Sequence, residues 1–151
     1  PMIRAAFDAD RRGRFAGEPP RTIPVVADTV FDPYVVLPQR ESYDFFTSTH
    51  RERAPAWRNE LTLRSVEMAS EYEAGAYIGR VSPTPLQMIV MTGDLVTLAD
   101  DALEFYELAL EPKQLVLVPG NHYEAYREAF TETSTASRDW FVRHLRPACG
   151  S

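Results

Sequence analysis

The chain has 151 residues, 44% of them hydrophobic and 11% aromatic, which is enough apolar material for a packed core and excludes a disordered protein. Sixteen Lys and Arg against twenty-two Asp and Glu leave a net charge of −6 and a sequence pI near 5.1, arguing against a nucleic-acid binder and against a polybasic membrane-surface protein. The one cysteine, Cys149, rules out an intrachain disulfide, and no apolar run approaches transmembrane length, so a cytoplasmic globular protein is expected.

Residues 3–15 place Ile3, Phe7, Arg11 and Arg14 around Ala5, Ala6 and Ala9 and predict a helix stopped by Gly17 and Pro19. Residues 18–40 hold Pro19, Pro20, Pro24, Pro33 and Pro38, too many for a long element. They read as an extended, ordered loop anchored by Ile23, Val25, Val26, Val35, Val36 and Leu37. Ser42 is expected to cap a short helix carrying Tyr43, Phe45 and Phe46. Pro55 suits the first turn of a longer helix over Ala56–Tyr72, with Trp57, Leu61, Met68 and Tyr72 on one stripe, widened by Leu63 and Val66. Gly75 and Gly79 end that pattern.

Near residue 80 the period changes. Leu86–Met91 is a short, nearly continuous apolar run of the kind that forms a strand buried on both faces. A turn follows at Thr92-Gly93-Asp94. Asp100 and Asp101 then open a helix that turns Leu103, Phe105, Tyr106, Ala109 and Leu110 to a core and stops at Pro112. Leu115–Val118 is a second buried strand, closed by Pro119-Gly120-Asn121-His122. A final helix over 133–145 buries Trp140, Phe141 and Leu145. The order β-α-β-α predicts an α/β fold with parallel strands, divided into a helical region 1–79, a segment 80–147 and a tail 148–151. Two parallel strands make a poor sheet by themselves. The expectation is therefore that the remainder of the sheet is missing from a chain that begins at Pro1 rather than Met.

No G-x-S-x-G, phosphate-binding G-x-x-x-x-G-K-[ST], dinucleotide G-x-G-x-x-G or H-E-x-x-H is present. The single Cys and the scattered His50, His122 and His144 make no zinc-ligand pattern, so no metal or other cofactor is expected. What remains is a pair: Asp94 just after the first strand and His122 just after the second. Catalytic groups of open α/β sheets gather at the carboxyl ends of strands, and neighbouring strands lie about 4.8 Å apart, so the two loops can meet. An aspartate that accepts from one imidazole nitrogen orients the ring and leaves the other nitrogen as general base. Taken singly, each residue also suits an ordinary turn; their shared position at the ends of consecutive strands is what makes a pair. His50 reads as a solvated loop residue and His144 as half-buried or surface. Arg11, Arg12 and Arg14 read as a solvated helix face, and the Trp57 stripe as core.

The run Ser82-Pro-Thr-Pro-Leu-Gln-Met-Ile-Val-Met-Thr-Gly-Asp94-Leu-Val-Thr97, followed by Leu110-Glu-Pro-Lys-Gln-Leu-Val-Leu-Val-Pro-Gly-Asn-His122, resembles the C-terminal part of α/β-hydrolases. The dienelactone-hydrolase-like and acyl-peptidase-like branch is the nearest group. There the acid lies in a D-x-x-T/V-P turn and the histidine in P-G-x-H. Asp94 and His122 match both positions, 28 residues apart, while Leu98 departs from the proline of the turn. The resemblance covers about 80–146, and 1–79 is similar, less specifically, to the helical cap of such enzymes. It implies a nucleophile-His-Asp hydrolase of an ester-like or other acyl bond, with the nucleophile elbow and oxyanion hole N-terminal to this chain or on a companion chain. The isolated chain would then be inactive. Expected partners are a small acyl or ester substrate, the missing half in cis or in trans, and further copies of the chain, with neither nucleic acid nor membrane. Two alternatives stand beside this: a non-catalytic fragment or interaction domain pairing through its sheet edge, and a dehalogenase-like chemistry with an Asp nucleophile.

Overall fold

The computed structural model describes residues 2–29, 32 and 34–145; Pro33, Cys149 and the 148–151 tail lie outside the described residues. The chain divides into two compact units, Pro1–Tyr72 and Glu73–Ser151.

The first unit opens with helix α1 (Met2–Phe15). Gly17 ends it as expected: its φ of 90° is a left-handed value that an L side chain resists. That conformation lets Glu18 N–H reach the Gly13 carbonyl at 2.9 Å and Gly17 N–H the Arg14 carbonyl at 3.1 Å, capping the last turn. The described residues of the proline-rich stretch are tied down by backbone hydrogen bonds. Thr22–Ile23 (β1) pairs antiparallel with Leu61–Thr62 (β2), and Val36 and Leu37 N–H groups bond back to Pro24 and Val25 carbonyls. The Asn59 carboxamide brackets Val26 by accepting its N–H at 2.9 Å and donating to its carbonyl at 2.8 Å, so a side chain takes the place of a neighbouring strand. Among the described residues of this unit, Val26, Val35, Phe7 and Leu63 are the buried apolar ones.

Several expectations fail here. Ser42 does not cap a helix. Helix α2 (Arg40–Arg53) begins earlier, with Gln39 at the cap position, and Ser42 is fully buried within its first turn. The single helix over Ala56–Tyr72 is not formed. Residues 54–60 make tight turns, with Trp57 N–H on the Ala54 carbonyl and Glu60 N–H on the Arg58 carbonyl; β2 follows, then a short helix α3 (Leu63–Ser70). Thr62, extended to pair with Thr22, caps α3 by accepting the Ser65 N–H, which sets where the helix starts. The proposed stripe therefore dissolves: Trp57 stacks on Phe46 at 5.4 Å, Leu63 is buried, and Met68 and Tyr72 are exposed. His50 belongs to α2 rather than a loop, and its Nδ1 lies 2.8 Å from the Ala54 carbonyl at the helix end.

The second unit holds a 3₁₀ turn (Ala74–Arg80), strand β3 (Leu86–Met91), helix α4 (Ala99–Leu108), strand β4 (Lys113–Val118), a 3₁₀ turn (His122–Tyr126) and helix α5 (Phe130–His144). β3 and β4 are parallel and in register from Leu86 opposite Lys113 to Met91 opposite Val118. α4 packs on β3, and α5 on both strands. Lys113, the sole lysine, donates to the Tyr106 carbonyl at 2.7 Å and so satisfies the C-terminal end of α4.

Among the described residues each of the two sheets has two strands. The strands are accordingly not buried on both faces: β3 is half-buried until Val90 and Met91, and Leu117 on β4 is exposed. Leu110, past the end of α4, and Phe141 and Leu145 are exposed too; Ala109 and Trp140 alone fill the core places given to those two segments' ends. No helix among the described residues is long and apolar enough to cross a membrane.

Candidate active site

The two parallel strands end side by side, and their outgoing loops are tied together. Thr92 N–H bonds to the Val118 carbonyl at 2.9 Å and Gly93 N–H to the Gly120 carbonyl at 2.8 Å, extending the ladder past the strands. Gly93 suits this approach, because a Cβ there would sit 3.0 Å from the Gly120 oxygen and push the two loops apart by a few tenths of an ångström. Gly120 turns with φ 131°, a conformation that L side chains avoid, and delivers the chain into the 3₁₀ turn that starts at His122. Asn121 Nδ2 donates to Glu124 Oε1 at 2.8 Å and braces that turn.

Asp94 and His122 meet across the two mouths. His122 Nδ1 lies 2.7 Å from Asp94 Oδ2. An ionised carboxylate only accepts, so Nδ1 carries the proton of the neutral ring and Nε2 has the free lone pair. The rest of the Asp94 carboxylate is saturated. Oδ1 accepts Val96 N–H at 2.8 Å and Thr97 N–H at 2.9 Å, and Oδ2 accepts the Thr97 hydroxyl at 2.8 Å. Asp94 is 8% exposed. Burial by itself pushes its pKa up, but the hydrogen bonds from His122, Thr97 and Val96 outweigh that and hold it below the usual aspartate value. Tyr123 and Tyr126 set their rings edge-on to the imidazole, with centroids at 4.7 and 5.9 Å. A cavity of about 260 Å³ opens at the pair, lined by Met91, Asp94, Thr97, Ala102, His122 and Tyr126 among others.

Both predicted site residues are thus brought together. Nothing in the sequence marks Tyr126 as a site residue, and Thr97 is marked only by its place three positions after the acid in the turn motif. His144 is exposed and packs on Trp140 at 4.1 Å. Arg11 and Arg14 are engaged, pairing with Asp8 and Glu67 and with Asp10 respectively.

A second buried carboxylate, Asp10, accepts Arg21 N–H and the Arg14 guanidinium, both at 2.8 Å, and these bonds lower its pKa against the opposing effect of burial. Asp10 and Asp94 bind protons more weakly folded than unfolded. Their contribution to stability is therefore complete above the unfolded aspartate value of about 4 and is lost as pH falls from there through the depressed folded values. Urea midpoints measured between roughly pH 5 and pH 2.5 are expected to fall, with a shallower decline in Asp10→Asn. A midpoint that is flat through this window would contradict the assignment.

No known family profile matches the chain. A thiohydrolase of Eupenicillium brefeldianum is 24% identical over 149 residues, 97% of this chain and 48% of that protein. Among solved structures, the α/β-hydrolase GrgF of Penicillium sp. sh18 superposes with a TM-score of 0.76 at 22% identity, covering 95% of this chain and 48% of that one. DcsB, solved in complex with its substrate analogue, gives 0.82 at 17% identity, covering 97% and 50%. The chain spans about half the length of these relatives. At these identities the likeness establishes the fold: the chain has an α/β-hydrolase architecture, with its aspartate–histidine pair at the mouths of the two parallel strands.

Proposed function

We propose that this chain supplies the acid and the base of an acyl-bond hydrolase. The 2.7 Å contact between His122 Nδ1 and Asp94 Oδ2 carries the reading, because it orients the ring through Nδ1 and leaves Nε2 available, in a residue that lines a cavity. In the assembled enzyme a serine, N-terminal in cis or on a companion chain, attacks the acyl carbonyl while Nε2 takes its proton. Asp94 stabilises the imidazolium that forms. His122 gives the proton to the leaving group as its bond to the acyl carbon breaks, leaving an acyl-serine; water then attacks that ester while Nε2 takes its proton, and the proton passes to the serine oxygen as the acid departs. Backbone N–H groups outside this chain would hold the oxyanion. The relative named a thiohydrolase supports an ester or thioester substrate. The turn sequences after the two strands favour the dienelactone-hydrolase-like or acyl-peptidase-like branch, and the helices before residue 80 the role of a cap. The single cysteine suits a reducing cytoplasm.

A serine-directed fluorophosphonate, combined with intact mass of the native material, tests this. The probe is expected to label an upstream segment or a companion polypeptide, and His122→Ala to slow labelling by about 10²–10⁴-fold. Labelling indifferent to His122→Ala would remove the base assignment. Absence of any labelled polypeptide would favour the non-catalytic alternative, in which β3, paired only with β4 among the described residues, offers its other edge to a partner strand.

A further inference from the structure

We propose that Thr97 is a positioning residue for His122: its hydroxyl sits on the same Asp94 oxygen that receives the imidazole and holds the ring through a three-centre bond at Nδ1. The proposal rests on the hydrolase reading only for its kinetic consequence, since the geometry concerns the ring itself.

Three observations separate this role from that of an ordinary turn residue. The turn after β3 is closed without the hydroxyl, because Asp94 Oδ1 takes the Val96 and Thr97 N–H groups and the Asp94 carbonyl takes Ala99 N–H at 3.3 Å. Helix α4 does not use the hydroxyl either: it begins at Ala99, with Leu98 at the cap position and no side-chain cap bond. The hydroxyl points instead to the histidine side of the carboxylate, donating to Oδ2 at 2.8 Å and lying 3.3 Å from His122 Nδ1.

The donor account is consistent. A threonine hydroxyl has one proton, spent on Asp94 Oδ2, and lone pairs that accept. The Nδ1 proton therefore meets two adjacent acceptors, Asp94 Oδ2 at 2.7 Å and Thr97 Oγ1 at 3.3 Å. A ring held by the carboxylate alone would lose one contact on flipping, whereas here a flip would set a ring carbon against both oxygens. Threonine also suits the task sterically, because β-branching restricts χ1 and keeps the hydroxyl aimed. The titratable groups placed against the ring are Asp94 from the turn after β3, and Tyr123 and Tyr126 from its own 3₁₀ turn.

Histidine-selective ¹⁵N labelling of the chain reads the ring directly, with His50 and His144 as internal controls. Wild-type protein is expected to show His122 as the Nδ1–H tautomer with a low-field, slowly exchanging proton. Thr97→Val, which keeps the shape and removes the hydroxyl, should speed exchange of that proton roughly tenfold, and Thr97→Ser should restore it to within about twofold. Thr97→Ala serves as the second hydroxyl-free variant should the valine disturb the His50 and His144 signals. Exchange and tautomer unchanged in the hydroxyl-free variants, or a serine variant that behaves like valine, would overturn the proposal. In the assembled enzyme, with p-nitrophenyl butyrate as probe, Thr97→Val is expected to lower kcat about tenfold with KM within about twofold. Ring signals that respond while no variant, wild type included, turns over the ester would uphold the positioning and count against the hydrolase reading. Equal turnover by wild type and Thr97→Val would sink the positioning and leave that reading standing.

Discussion

On the proposed hydrolase reading, Asp94→Asn is expected to lower kcat of the assembled protein by about 10⁴-fold while KM stays within about twofold. The substitution barely alters shape. The amide oxygen can still accept the Val96 and Thr97 N–H groups that close the turn, so the backbone keeps its path. What changes is the atom opposite His122. The amide nitrogen is a donor, and a donor 2.7 Å from Nδ1 selects the tautomer with its proton on Nε2, which cannot act as a base. The Thr97 hydroxyl loses its acceptor in the same step. Steady-state kinetics on an ester probe, with the imidazole tautomer read by ¹⁵N NMR, would check both halves. A variant that kept its activity, or lost it by a rise in KM alone, would mean that Asp94 binds or folds rather than orients a base.

Gly120→Ala is expected to destabilise the second unit by about 1–3 kcal/mol and, on the same proposed reading, to lower kcat of the assembled protein by about 10²-fold. The backbone at Gly120 has φ 131°, and an added Cβ would collide with the Glu124 carboxylate and press on the Met91 side chain. The Glu124 carboxylate can swing away at the cost of its bond to Asn121, but the φ of 131° stays strained for any L side chain, and that strain falls on the turn that presents His122. A shift of His122 lengthens a hydrogen bond that is short and directional, which is why a substitution two residues away is expected to act on the chemistry. Urea unfolding and kinetics of the same preparation separate the two effects. Full activity in a protein of wild-type stability would show that the loop has another conformation open to it.

The site was more legible in the sequence than the first half of the fold. Asp94 and His122 are recognisable because each follows a short apolar run directly, and a strand has only one carboxyl end at which such a residue can sit. Parallel pairing then follows from the helix between the runs, since the connection returns the second strand in the same direction. The helix over Ala56–Tyr72 was not legible, because the pairing that interrupts it comes from Thr22 and Ile23, far away in sequence. Local periodicity counted Trp57, Leu61 and Met68 as one stripe and had no access to a partner strand. The Asn59 bracket on Val26 was hidden for the same reason, its partners lying 33 residues apart. Phe141 and Leu145 show the converse limit: hydrophobicity at helical spacing marks a face, but burial also needs something to cover it.

The β-α-β-α order of the second unit, its parallel strands and the two residues at their ends are readable from sequence, because in that unit each apolar run lies within one element and the helix between the runs returns the second strand in the same direction. Contacts between distant parts of the chain bring Asp94 and His122 to 2.7 Å, tie their loops together through two glycines, and turn the Thr97 hydroxyl to the carboxylate rather than to the helix beginning after Leu98. Those facts depend on hydrogen bonds whose partners are chosen by position in space. A threonine three residues after an aspartate has the same local pattern whether it caps a helix or steadies a base.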